Sequence, residues 1–368
     1  MGNTISIAAL RPEVWQKELY KDVADGIFFG NKNMMGKDTN NVIQIKDELV
    51  KNPGDRVTFG LTAKLSGDGV TGDADLEGNE EAINSFSEQV LIDQKRFGVR
   101  LTGKLDEKKA AYDMRKDAKE KLAIRMMEFE ERQIFMKLGG VTSTDLQDIN
   151  SVVYSSDAAW SNSAPIVPAA DEAAGKGARY LCTDAAGLDS LAVTDVITTK
   201  FITRVKAKAK LADPKVIPLR INGETHYVMF IHPWQEADLK TNAADVWAQA
   251  QREAQARAKD NPIFSGALGM WDDVILHSHE YVPVCQSGAD FSPGATAAGA
   301  QAFRALLVGR QAIAFAQAKN ANGFVEETFD YKNKVGYATG LIGGIQKTAF
   351  NSLDFGVITL DTGATDIG

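Results

Sequence analysis

Residues 105–138 read LDEKKAAYDMRKDAKEKLAIRMMEFEERQIFMKL, with no Gly and no Pro. Nearly every residue is a good helix former, so propensity and pattern agree. Ala111, Met114, Ala118, Leu122, Met126 and Phe129 recur at spacings of three and four, which puts them on one face. Asp106 and Glu107 sit in the first turn and Lys137 in the last, as the helix dipole favours, and Gly139-Gly140 ends the run. One unbroken helix of this length would be about 50 Å long, more than the diameter of a small domain. The remaining chain is expected to be arranged along it.

Upstream, Pro53-Gly54-Asp55 is a turn and Arg56–Leu61 alternates as a strand. SGDGVTGDADLEGNEEA follows at 66–82, rich in Gly and acids. Ser87–Leu101 then alternates as a second strand. The pair predicts a protruding hairpin with an acidic tip, which needs a partner surface because a lone two-stranded hairpin is marginal in water. Gly67-Asp68-Gly69-Val70-Thr71-Gly72 fits GxGxxG by letter, but Asp73, Asp75 and Glu77 follow and no helix opens. A dinucleotide site needs a strand before the motif and a helix after it. Residues 1–52 read as an arm. A helical pattern runs from Arg11 through Trp15 to Phe29, and a short strand covers Val42–Ile45. The arm has too little apolar surface to fold alone, so it must lie on another part of the chain or on a neighbour.

Downstream, residues 141–195 are loop-rich, and Thr194-Asp195-Val196 opens a second helix that Asp213-Pro214 ends. Val196, Ile197, Phe201, Val205 and Leu211 suit its buried side. Lys200, Arg204, Lys206, Lys208 and Lys210 form a basic stripe, read as a solvated or subunit-contact face. Asn222-Gly223 predicts a tight hairpin turn. His232-Pro233-Trp234 begins a helix with Pro in its first turn, and another covers Val246–Lys259. Trp271–Glu280 and Phe303–Val308 read as strands, Gly309–Ala312 as a turn into a helix reaching Ala318, and Lys334–Phe350 and Phe355–Leu360 as strands. The natural account of residues 190–360 is a mixed sheet flanked by helices.

Of the 368 residues, 44% are hydrophobic and 24% charged, an ordinary globular composition with net charge −8. That balance disfavours tight nucleic-acid binding, which needs clustered Lys and Arg. Cys182 and Cys285 form no CxxC pair and read as free thiols. No apolar run reaches 18 residues, so no membrane span is expected. MGNTIS fits the short myristoylation pattern, which has meaning only in a eukaryotic cell. The histidines are His226, His232, His277 and His279. His277 and His279 lie two apart on a predicted strand, and with Asp272, Asp273 or His226 they are the only basis for a metal-dependent hydrolase. No GxSxG and no P-loop occurs, so no catalytic residue and no cofactor are expected.

A set of short local sequences adds what periodicity cannot. They are Pro53–Phe59, Gly69–Asp73 with Leu76–Glu81, Ile92-Asp93-Gln94, His232–Gln235, Asn261–Gly266, and Lys347–Asn351 with Asp354–Ile358. In this order, and with the arm, hairpin and long helix ahead of a mixed domain, the chain resembles the major capsid proteins of tailed bacteriophages. That family shares its fold with the floor domain of herpesvirus capsids. The resemblance implies an α+β fold with an N-terminal arm (1–52), an extended loop (53–103) and a peripheral domain (104–194) with spine helix 105–138. An axial domain (195–325) and return strands of the peripheral domain (326–368) complete it. It implies a structural subunit, not an enzyme, that assembles as hexamers and pentamers into an icosahedral virion shell around double-stranded DNA. Assembly would occur in the host bacterial cytoplasm, with no membrane involved. Candidate subunit contacts are Trp15, Phe59, Lys64, Leu65, Asp73, Asp75, Glu77, Lys206, Lys208 and Lys210. The portal and a separate scaffolding protein are the implied partners, with a decoration protein as a further one and packaged DNA close by without specific grip. An encapsulin-like compartment shell is the alternative that shares the fold.

Overall fold

The computed structural model describes residues 27–47, 54–62, 69–110, 113–141, 179–184, 191–242, 267–285, 290–296, 301–318, 325–350 and 353–364, apart from short gaps within these stretches. In chain order the elements are α1 (Phe28–Asn31), β1 (Met35–Gly36), β2 (Ile43–Lys46), β3 (Arg56–Thr62), β4 (Ser85–Leu91) and β5 (Asp93–Arg100). Then come α2 (Lys104–Lys109), α3 (Met114–Gly139), β6 (Tyr180–Cys182), α4 (Thr199–Leu211), β7 (Leu219–Ile221), β8 (Glu224–Ile231) and α5 (Pro233–Asn242). Strands fill the remainder: β9 (Gly269–Trp271), β10 (Val274–Ser278), β11 (Val284–Cys285), β12 (Asp290–Ser292), β13 (Ala295–Thr296) and β14 (Ala302–Val308). The last are β15 (Ile313–Gln317), β16 (Val325–Phe329), β17 (Lys334–Lys347), β18 (Ala349–Phe350), β19 (Leu353–Asp354) and β20 (Val357–Thr362). The expected helices at 11–26 and 246–259 lie outside the described residues.

The long helix is broken near its start. Ala110 is extended at φ −68°, ψ 138°, which ends α2, and the Asp113 carboxylate accepts the Arg115 and Lys116 N–H groups as the N-cap of α3. An Asp–backbone cap competes with helix continuation, so the single expected rod is two helices, the longer about 39 Å at 1.5 Å per residue. Gly140 closes α3 at φ 63°, as the glycine pair predicts. The expected face holds: Ala118, Leu122, Met126 and Phe129 are buried. The last two turns, however, are buried all round: every residue from Gln133 to Gly139 is buried.

Two mixed sheets carry the fold. The six-stranded sheet runs β1-β2-β15-β17-β16, with β5 also on β17; the eight-stranded sheet runs β6-β20-β14-β8-β10-β9, with β11 on β14 and β7 on β8. Phe135 of α3 stands 5.6 Å from Phe230 of β8, joining both sheets in one core with Phe29, Ile43, Phe315 and Ile345. The stretch 27–46 lies on its own chain: Ile27, Phe29, Met34, Val42 and Ile43 are buried, and β2 pairs in parallel with β15.

The strand expectations at Phe303–Val308 and Lys334–Phe350 match β14 and β17–β18, and the turn at Asn222-Gly223 matches a tight β7–β8 hairpin with Gly223 at φ 89°. Others differ. Residues 313–317 form strand β15, not a helix; it pairs with β2 and β17, and Ile313 and Phe315 face the main core while Ala314 and Ala316 lie under Val57, Phe59 and Val90, a two-sided burial that overrides the helical Ala content. Trp271–Glu280 is a hairpin, not one strand, because Asp272 and Asp273 adopt φ 48° and 58°. Ser87–Leu101 changes sheet at Ile92: β4 pairs with β3, while β5 pairs with β17. The second long helix starts at Thr199, with Val196 bridged to Gly363 instead, and Leu211 is 84% exposed rather than buried. β15 belongs with the α3-covered sheet, and β20 sits between β6 and β14 in the other.

Candidate assembly surfaces

The β3–β4 hairpin pairs Arg56 with Leu91 through Thr62 with Ser85, and alternation places Val57, Phe59 and Val90 on one side. That side packs on Ala314 and Ala316 of β15, and Phe59 is only 4% exposed, with Lys46 Nζ 4.5 Å from its ring centre. Phe59, expected at a subunit contact, is thus buried in its own chain, because small alanines leave room for the ring. The tip is different. Asp73, Asp75 and Glu77 are exposed between left-handed turns at Gly72 and Gly78, with Leu76 61% and Ile83 68% exposed. No helix follows the GxGxxG letters. Trp15, Lys64 and Leu65 lie outside the described residues.

The basic stripe of α4 is partly internal. Lys206 Nζ lies 2.6 Å from Asp272 Oδ1 and 2.9 Å from Asp273 Oδ2. Burial works against its charge, but the two carboxylates outweigh that and raise its pKa; the same bond holds Asp273 below its ordinary range. Lys206 thereby clamps the strained β9–β10 turn of its own chain. Sequence reasoning missed this because the acids lie 66 and 67 residues away. Lys208 Nζ donates to the Tyr180 carbonyl. Lys210 is exposed.

The histidines are in aromatic surroundings. His277 is fully buried, 5.5 Å from Phe28, and His279 stacks on Phe135 at 4.6 Å. Burial pushes the His279 pKa down to about 4 and does the same to His232. Asp272 and Asp273 are held by Lys206, and His226 faces Glu224 at 3.4 Å. The residues named for a metal site are thus dispersed, and among the described residues no group of three or more His, Cys, Asp or Glu could hold a metal ion. Cys182 is a free thiol whose pKa burial raises to about 11, far from a reactive thiolate.

Buried charge instead ties strands of the eight-stranded sheet to the end of α3. Arg304 of β14 binds Asp361 of β20 through two hydrogen bonds and the Gly139 carbonyl at the end of α3 through a third. Lys347 binds Asp354 at 2.9 Å, both enclosed; burial lowers the lysine pKa and raises that of the aspartate. In α3, Glu130 is fully buried, and desolvation, helped by Glu131, pushes its pKa up to about 8. These are structural contacts within the chain.

A two-sheet fold with an exposed hairpin tip and, among the described residues, no assembled metal-binding group fits a shell subunit. Comparison with known proteins agrees. Residues 13–366 match the family described as phage capsid protein, and the chain belongs to that family. It is 29% identical to the major capsid protein of Pseudomonas phage KPP25, over 98% of this chain and 97% of that one. The capsid of Ralstonia phage GP4 superposes with a TM-score of 0.81 at 33% identity, covering both chains completely. The cyanophage Pam1 capsid shares the fold with a TM-score of 0.69 at 22% identity, over 99% of this chain and all of that one. The protein is a structural component of a phage capsid and not an enzyme, and it self-assembles into the shell of the virion.

Proposed function

We propose that this chain is the repeating hexamer- and pentamer-forming subunit of an icosahedral head filled with double-stranded DNA, assembled in the cytoplasm of the bacterial host. The observation that carries the reading is the hairpin tip, whose Leu76 and Ile83 are exposed and belong to no core cluster of the described residues. Apolar side chains on a protruding, acidic tip find burial only in an assembly. In this reading residues 53–92 reach a neighbouring subunit. The α3-covered sheet is the peripheral domain, and most of the eight-stranded sheet, with α4 and α5, is the axial domain. Asp73, Asp75, Glu77, Lys208 and Lys210 remain contact candidates, as do Trp15, Lys64 and Leu65, which lie outside the described residues. The net charge of −8 suits an inner wall along which DNA slides. A portal and a separate scaffolding protein are the expected partners, and a decoration protein is compatible with the exposed outer face.

The test is deletion of residues 67–78, followed by electron microscopy under assembly conditions. The expected result is a soluble subunit with unchanged melting that yields few closed particles. Normal particles from the deletion would refute an assembly role for the tip.

A further inference from the structure

Strand β5 (Asp93–Arg100) pairs with β17 along one edge, and no described strand follows on its other side. The Leu101 N–H bonds to the Val335 carbonyl, and Arg100 is the register partner of Gly336. Alternation then turns the backbone groups of Lys95, Phe97 and Val99 toward β17 and those of Gln94, Arg96, Gly98 and Arg100 away from it. All four of the latter residues are exposed. An open edge of this length is a template for another chain.

Edge strands are usually blunted by charged side chains, proline or a bulge. Here the charges stand clear of the edge. Arg96 lies back over β17, where a Cβ on Gly340 would stand 2.9 Å from its Cγ. Arg100 also folds inward, its guanidinium 4.5 Å from the ring centre of Phe329 on β16. Between them Gly98 has no side chain, and the surface over Gly98 and its register partner Ala338 is an open groove of about 240 Å³. The open run is closed at one end, where the Gln94 N–H donates to the Asp93 carboxylate.

The same edge is self-complementary. Laid antiparallel on a second copy about a two-fold axis at Phe97, it matches Arg96 with Gly98 and Gln94 with Arg100 of the other copy. Arg96 and Gly98 then exchange both of their backbone bonds. No like charges stand opposite each other, since Lys95 meets Val99 and Asp93 meets Leu101. Phe97 meets Phe97 across the axis, an aromatic cross-strand pair. We infer that the free edge of β5 pairs antiparallel with the β5 edge of a second copy of this chain, making one sheet continuous across a two-fold axis. The inference rests on the shell reading and deepens it, because a closed icosahedral shell needs contacts across two-fold axes and β5 is the strand that makes one.

The experiment uses the full-length chain with Cys182→Ser and Cys285→Ser. Into it go Lys95→Cys and Val99→Cys, singly and together. In the paired arrangement these positions face each other without hydrogen bonds between them, about 4.5 Å apart between Cα atoms, which a disulfide spans. Mild oxidation of assembled particles is expected to give covalent dimers and nothing larger, only in the double variant, because an isologous contact closes on itself. Separately, Gly98→Pro removes an N–H that points away from β17, so subunit melting should hold while particle yield falls about tenfold or more. Gly98→Ala, which keeps the N–H, should assemble normally. Full particle yield from Gly98→Pro, with no covalent dimer from the cysteine pair, would overturn the strand pairing while leaving the shell reading standing. A ladder of larger covalent oligomers would overturn the two-fold arrangement. If Gly98→Pro lowers the melt, the cysteine pair decides alone: dimers uphold the pairing and their absence overturns it. Failure of the unaltered chain to form particles under any condition would overturn the shell reading itself.

Discussion

Arg304 and Asp361 stand directly opposite each other on β14 and β20, and the guanidinium grips the carboxylate at 2.8 and 2.7 Å with both side chains fully enclosed. The third bond, to the Gly139 carbonyl, fastens the C-terminus of α3 to the same pair. Removing one partner strands the other charge in the core. Arg304→Met and Asp361→Asn are each expected to cost about 3–5 kcal/mol, read by urea unfolding of the unassembled subunit. Arg304→Lys should not rescue, since an ammonium cannot make the paired fork. A loss below 1 kcal/mol would show that the pair is dispensable.

Leu122 is buried with Leu101, Ala118, Val335 and Tyr337 where α3 crosses β17. Leu122→Asp is expected to cost several kcal/mol and to lower the melting temperature sharply. The control is Ile124→Asp on the half-exposed side of the same helix, which should leave melting nearly unchanged. Equal effects at the two positions would contradict the packing of α3.

Glu130 sets a pH dependence. Its folded pKa, raised to about 8 by burial, lies above the ordinary value of 4.5, so the folded state keeps a proton that the unfolded chain releases. Stability from this group is present below pH 4.5 and is lost as pH rises toward 8. His232 and His279, lowered to about 4, act oppositely, but only between about pH 4 and 6.5. Between pH 6.5 and 8, subunit stability should therefore fall, and Glu130→Gln should flatten that slope. Chemical unfolding at a series of pH values checks the sign, and a wild-type slope that rises over this window would be the wrong one.

Gly344 gives a test of how the hairpin is seated. Any side chain there meets the Leu91 carbonyl. Gly344→Val is expected to lift the root of β4 off the sheet, speed protease cleavage between β3 and β4 and reduce particle yield. The core melt should shift by about 1–3 kcal/mol at most. Protection identical to wild type would mean the contact is not needed.

The sequence made plain what depends on neighbours in the chain. The buried face of α3, its Gly140 stop, the β7–β8 turn and the hairpin β3–β4 follow from spacing, capping and turn chemistry. What it hid depends on partners far away. Ile313–Ala316 reads as a helix until β2 and β17 are placed on either side of it. Lys206 reads as a surface cation until the Asp272–Asp273 turn arrives beneath it. The hairpin tip was legible: its exposed acids were visible as a pattern. The burial of Phe59 and the open floor at Gly98 and Ala338 exist only once β5, β15 and β17 lie side by side.

Ile92 joins β4 to β5 without a loop, and its N–H is bonded to the Asp55 carbonyl across the hairpin root. The chain therefore passes from sheet to hairpin through one stiff joint rather than a slack tether. A seven-residue hairpin arm is about 24 Å long at 3.4 Å per residue, so a rotation of 5° at Ile92 moves its far end by about 2 Å. The hairpin is therefore a pointer geared to the sheet under α3, and a twist of that sheet is magnified at the hairpin's far end.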